Sequence, residues 1–264
     1  MKKLFLGLTL ATSVICLASC SIKSTFGGED SNGIDEDLET TEVISTYTEA
    51  YAKVMNSCFG VKNIVSDTSY AIGSCVCIKK DDNYSYFITN RHVIEAADNT
   101  KESSKLSIYF GEGTYYKATL LACTTYSQRS QNSADDLALL RIATPNGETI
   151  KAIEFSTSVI SKGCSVLSVG CPLSLSNYNT LTAGIVSKVI TSSDLYMHTA
   201  TINPGNSGGG LFTLDGKLVG LNVSANYSLE TSVGYTYNEV DDQYNAITYS
   251  HILSFLDDNN FDLD

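Results

Sequence analysis

After residue 56 the chain alternates short apolar runs with clusters of turn formers. Runs rich in β-branched, aromatic and aliphatic residues lie at Ser74–Ile78, Tyr84–Thr89, Lys105–Phe110, Tyr115–Leu121, Leu137–Ile142, Ser165–Val169, Gly184–Ile190, Tyr196–Thr201, Gly210–Thr213 and Lys217–Val223. Each is a strand signal. Between them stand Asp81-Asp82-Asn83, Pro145-Asn146-Gly147 and Asp215-Gly216, residue types that favour turns through short side-chain hydrogen bonds or free φ. Helical spacing is confined to the flanks. Tyr47, Ala50, Tyr51, Val54 and Met55 form one stripe of a short helix within Thr46–Asn56, and His251–Leu256 fits a terminal helix. Many short strands with no helix between them predict an all-β barrel or sandwich rather than a parallel α/β sheet.

The first 45 residues follow a different pattern. Lys2 and Lys3 precede an apolar run from Leu4 to Leu17, then small residues, which is the plan of a secretory signal. The run is too short for an ordinary membrane-spanning helix. Its ending, Leu17-Ala18-Ser19-Cys20, resembles a bacterial lipobox, which implies lipidation of Cys20 and a membrane anchor. The alternative is an uncleaved N-terminal anchor. Residues 21–45 are polar and acidic and read as a flexible linker.

Composition narrows the partners. Of 264 residues, 43% are hydrophobic, enough for a full core, and the formal charge of -12 disfavours nucleic acid and anionic lipid surfaces. Outside the leader and Cys20, six cysteines remain: Cys58, Cys75, Cys77, Cys123, Cys164 and Cys171. Export permits disulfides, and the pairing is open, as is the reading of free buried thiols. The absence of a Cys-x-x-Cys pair argues against a zinc site, and no phosphate-binding glycine loop is present, so neither metal nor cofactor is expected.

The strongest chemical signal is Asn203-Pro204-Gly205-Asn206-Ser207-Gly208-Gly209-Gly210. Glycines let a backbone adopt unusual φ and let a carbonyl approach bare N–H groups. Ser207 is therefore a candidate nucleophile, with the amides of Gly205 and Ser207 as oxyanion donors. A plain glycine turn is the alternative. A serine nucleophile needs a base, and the chain has three histidines. His198 is mid-strand and His251 heads the terminal helix, whereas His92 ends an apolar strand, a position that projects into a cleft mouth. An orienting carboxylate is offered by Asp135-Asp136 before Leu137-Ala138-Leu139-Leu140, since a carboxylate at the head of a buried strand needs a partner. Asp135 reads as a solvated turn acid.

Thr89-Asn90-Arg91-His92-Val93, Asp136-Leu137-Ala138-Leu139-Leu140 and Gly205-Asn206-Ser207-Gly208-Gly209, in that order, resemble the trypsin-like serine proteases in their bacterial HtrA/Deg-type form. Gly73-Ser74 and the stretch Leu211–Asn222 fit the same pattern, which spans about residues 47–260. The resemblance implies two six-stranded antiparallel β-barrels with short terminal helices. His92 would be the general base, Asp136 its orienter and Ser207 the nucleophile, acting on protein or peptide substrates. By the family's spacing, Thr201 and Ile202 lie at the base of the primary specificity pocket and Asn222, Val223 and Ser224 form its wall. None is charged, so cleavage after small or medium aliphatic residues is expected, and Asn222 stands where glutamyl endopeptidases place a histidine. The expected layout is a signal over 1–19, a linker over 20–45 and a protease domain over 46–264. Its barrels would span about 58–150 and 151–250, with a terminal helix over about 249–258. The chain stops after that helix, where HtrA proteins carry PDZ modules. Its expected place is the bacterial cell surface or periplasmic side, in quality control or processing of exported proteins. The competing reading is a catalytically silent or zymogen-like binding protein on the same fold. The sequence sets no oligomeric state.

Overall fold

The computed structural model describes residues 47–96, 102–103, 105–230 and 236–263. The leader, Cys20 and the linker lie outside the described residues. Helix α1 (Tyr47–Val54) opens the described chain. Seven strands follow: β1 (Cys58–Ile64), β2 (Tyr70–Lys80), β3 (Tyr84–Thr89), β4 (Leu106–Tyr109), β5 (Tyr115–Lys117), β6 (Thr119–Cys123) and β7 (Ala138–Ala143). A short helix, α2 (Tyr126–Gln131), lies between β6 and β7.

Hydrogen bonding orders these strands β5-β4-β1-β2-β3-β7-β6, seven where six were expected. The extra strand comes from one interruption. Only Ala118 separates β5 from β6, and its N–H turns to the Leu106 carbonyl at 2.9 Å. Residues 115–123 thus act as one bent strand, pairing with β4 at its start and with β7 at its end. Both edges of the sheet belong to that strand, which limits exposed pairing edges.

The second half is a closed barrel ordered β10-β13-β12-β11-β8-β9. Its strands are β8 (Ser165–Gly170), β9 (Thr180–Ile190), β10 (Leu195–His198), β11 (Gly210–Phe212), β12 (Leu218–Glu230) and β13 (Thr236–Thr248). Helix α3 (Tyr249–Asp258) follows directly, with the Thr248 hydroxyl accepting from the His251 N–H as N-cap.

Core packing explains why several strands read as continuous apolar runs. In β2, Cys75 and Cys77 pack inside the seven-stranded sheet with Phe59, Phe87 and Leu140. Val76 and Ile78, on the other face, pack with Leu137, Leu139, Val169, Phe212 and the α3 residues Ile252, Phe255 and Leu256. Both faces of β2 and β7 are therefore covered, and a two-sided burial pattern has no alternation. Leu137, Leu139 and Leu140 are at most 2% exposed, and each such side chain contributes about 1.5–3 kcal/mol on burial. All six described cysteines are free thiols. Burial pushes the Cys77 and Cys171 thiols up to about 12, so they behave as small apolar core residues.

Candidate active site

Each candidate side chain sits in a loop close to a strand end: His92 just after β3, Asp136 just before β7 and Ser207 just before β11. β3 ends at Thr89, and the chain tightens into a 3₁₀ turn over Arg91–Ile94 that carries His92. Asp136 lies just before β7, nearly fully buried. Its Oδ2 faces His92 Nδ1 at 2.6 Å, and its Oδ1 accepts the His92 backbone N–H at 2.8 Å. The Asn90 side-chain amide donates to the Asp136 carbonyl at 2.9 Å, tying the two loops together. Burial alone would favour the neutral acid. The hydrogen bonds from His92 and the nearby Arg129 charge outweigh it and hold the carboxyl below the usual carboxylate range. The Asp136–Nδ1 contact leaves His92 Nε2 as the outward nitrogen.

The other two histidines are engaged elsewhere. His198 is fully buried in the closed barrel, and burial pushes its pKa down to about 4. His251 Nε2 meets Asp135 Oδ1 at 2.8 Å and its Nδ1 lies 3.3 Å from Asp194 Oδ2. Asp135 is thus paired rather than solvated, because α3 folds back over the loop that holds it.

Ser207 follows a tight turn. The Asn206 N–H bonds to the Asn203 carbonyl at 2.9 Å, with Pro204 and Gly205 between them and Gly205 at φ 102°. Proline at the second position and a positive φ at the third define a type II turn. The Pro204 carbonyl is held by the Leu173 N–H at 2.6 Å. The Gly205 N–H is therefore turned the opposite way, and among the described residues neither it nor the Ser207 N–H has an acceptor. Gly208, at φ 81°, follows at once, and a Cβ there would overlap the Ser74 carbonyl and the Thr89 hydroxyl. Close approach and positive φ both demand glycine at that position.

Ser74, on β2, ties the seven-stranded sheet to this turn. Its Oγ donates to the Gly205 carbonyl at 2.7 Å and accepts the Cys171 N–H at 2.9 Å, and its backbone N–H reaches the Ser207 carbonyl at 2.8 Å. The sequence marked Ser74 only as part of a motif. Its role in supporting the turn is visible only once β2 and the turn meet.

A pocket of about 270 Å³ is lined by Ile202, Asn203, Pro204, Ser207, Val223, Ser224 and Ala225. A second pocket is lined by His92, Arg129, Ser133, Asp136, Val223 and Ser224. Both share Val223 and Ser224, so Ser207 and the His92–Asp136 pair border one cleft. No hydrogen bond joins Ser207 Oγ to His92 among the described residues. Two expected pocket residues, Asn222 of the wall and Thr201 of the base, lie off this lining. Asn222 is fully buried, its amide on Ser168 Oγ at 2.8 Å, because alternation on β12 turns it inward while Val223 faces the pocket. Thr201 is exposed, and its carbonyl takes the Thr182 hydroxyl at 2.7 Å. Among the described residues no cluster of His, Cys, Asp and Glu side chains is placed to hold a metal ion.

Two antiparallel β units with a shared cleft between their strand ends constitute the trypsin-like fold. Residues 73–221 match the trypsin-like peptidase domain, and the chain belongs to that family. It is similar to the serine protease Do-like HtrA of Bacillus subtilis, 35% identical over 212 residues, which cover 75% of this chain and 44% of that protein. It is also similar to the probable periplasmic serine endoprotease DegP-like of Buchnera aphidicola subsp. Schizaphis graminum, 30% identical over 170 residues, covering 61% of this chain and 31% of that protein. The chain thus spans less than half the length of these relatives. Its fold is similar to that of the serine endoprotease from Yersinia pestis, with a TM-score of 0.60, 24% identity, and coverage of 81% of this chain and 66% of that one.

Proposed function

We propose that this chain is a serine endopeptidase that hydrolyses peptide bonds in protein or peptide substrates through an acyl-enzyme. Ser207 Oγ attacks the scissile carbonyl, and His92 Nε2 takes its proton and later passes it to the leaving amine. Asp136 holds the ring through Nδ1 and stabilises the imidazolium that forms. The amides of Gly205 and Ser207 receive the developing oxyanion. The observation that carries this reading is the Asp136–His92 contact of 2.6 Å at a cleft whose other bank carries Ser207. The turn at 203–206, with the open amides of Gly205 and the following Ser207, supports an assembled site over a zymogen-like one. The relatives named as HtrA and DegP-like proteases support the same activity.

The uncharged lining of Ile202, Pro204, Val223 and Ala225, which Ser207 shares, favours small or medium aliphatic residues at P1. In a peptide library varied at P1, Val, Ala or Ile should exceed Arg and Glu in kcat/KM by at least about ten-fold. Arg or Glu as the best residue would contradict this pocket assignment. The layout proposed with this activity is a lipoprotein signal over 1–19, a linker over 20–45 and the catalytic domain over 46–264. Lipid on Cys20 would anchor the protein, and its work would be quality control or processing of exported proteins. The periplasmic designation of the Buchnera relative supports export.

A further inference from the structure

The sequence drew attention to Asp136 and His92 but not to the cation that faces them. Arg129, on α2, places Nε 3.3 Å from Asp136 Oδ2, the same oxygen that meets His92 Nδ1. The guanidinium cannot swing freely. Its Nη1 bonds to both oxygens of Glu95, at 2.9 and 3.1 Å, and Glu95 is 7% exposed. Glu95 lies 3.5 Å from Arg91 Nε, and Arg91 in turn holds Glu102 at 2.8 Å and the Thr124 carbonyl at 2.7 Å. The Cys123 thiol also touches Arg91, at 3.3 Å. Helix α2 itself is fixed by a capping box between Thr125 and Gln128.

Among the described residues, the charged and titratable groups around His92 are Asp136 from the loop before β7, Arg129 from α2, Arg91 and Glu95 flanking it, and Glu102 with Cys123 behind Arg91. Asp135 is turned away to His251. Of the cations, Arg129 alone among the described residues is in contact with the carboxylate that orients the imidazole. An anion shared between two cationic partners gives less to each than an unshared one, so Arg129 and a protonated His92 compete for Asp136 Oδ2.

We propose that Arg129 is a positioning residue for the Asp136–His92 pair. Anchored on Glu95, it fixes the Asp136 carboxylate and offsets part of that carboxylate's pull on the imidazole proton. The inference rests on the catalytic reading above and concerns how the proposed base is tuned. Arg129 contacts no reacting atom. Its loss acts through Asp136.

The test uses the full chain with Arg129→Gln and Arg129→Lys, read two ways. In a Ser207→Ala background, the His92 ring signal is titrated by NMR and assigned against variants of His198 and His251. In the unsubstituted background, the acid limb of kcat/KM is followed with pH. The expected result is a titration midpoint and acid limb raised by about half to one pH unit in Arg129→Gln at low ionic strength, and restored in Arg129→Lys. Rates on the plateau should change only a few-fold. A purely structural role would lower stability or the plateau and leave the midpoint in place, and an unmoved midpoint would overturn the proposal. If Arg129→Gln does not fold, Arg129→Met, which keeps the apolar stem, replaces it. If neither neutral variant folds, Arg129 is a fold determinant and the proposal is overturned. The NMR arm needs no hydrolysis, so failure of the catalytic reading and failure of this inference give different results.

Discussion

Ser207→Ala is expected to lower kcat for peptide hydrolysis by about 10⁵–10⁶-fold while leaving the protein folded. The size follows from the logic of a unit: without the hydroxyl there is no acyl-enzyme, and the base and oxyanion donors have nothing to assist. The folded state should hardly notice the change. Ser207 Oγ makes no hydrogen bond among the described residues, while its backbone carbonyl keeps the bond from Ser74 N–H at 2.8 Å. Substitutions of this kind sit within about 0.5 kcal/mol. A fluorogenic peptide with an aliphatic P1 residue gives the rate, and a thermal melt run in parallel shows that the fold persists. Loss of rate with loss of the melt would discredit the comparison, whereas a preserved rate would remove Ser207 from the chemistry.

Asp136→Asn comes next, with an expected fall in kcat of about 10⁴-fold. The carboxylate accepts from the His92 backbone N–H through Oδ1 and faces Nδ1 through Oδ2. An asparagine that keeps the first bond presents its NH₂ group to the ring. Nδ1 must then act as acceptor, the proton moves to Nε2, and Nε2 loses the lone pair that should take the Ser207 proton. The same NH₂ also points a donor at Arg129 Nε, where the acid had offered an acceptor at 3.3 Å. Two effects therefore reinforce each other, and neither removes volume. The rate at high pH separates them from simple misfolding: hydroxide substitutes in part for the missing base, so activity should climb with pH in the variant beyond the range where the wild type is flat.

Much of this was legible in the residues. The apolar run Leu137–Leu140 marked β7, and the carboxylate at its head marked a residue that needed a partner. Gly205 and Gly208 marked a backbone that only glycine allows, and both stand at positive φ. Strands β1 and β13 were not legible. In β1 the run is broken by Gly60 and Lys62, and a Cβ at Gly60 would press on Leu175 and Tyr109. In β13 the stretch Asn238-Glu239-Val240-Asp241-Asp242 has no apolar period; Asn238 and Glu239 pair with β12, while β13 meets β10 further on, through Tyr244–Ile247. Tertiary pairing there overrides local preference. Helix α2 carried a readable sign, the Thr125-x-x-Gln128 capping pattern, but its six residues have no buried stripe. Arg129 could not have been linked to Asp136 by sequence, since their contact depends on the angle at which that short helix leaves β6.

The proposed activity depends on activation of Ser207 by His92 in an assembled site. The most direct measurement is covalent capture by a fluorophosphonate, with the labelled residue mapped by peptide mass spectrometry on folded protein. A single adduct on Ser207 is expected, absent in Ser207→Ala and strongly slowed in His92→Ala. A folded wild type that stays unlabelled, or one labelled equally fast without His92, would contradict it.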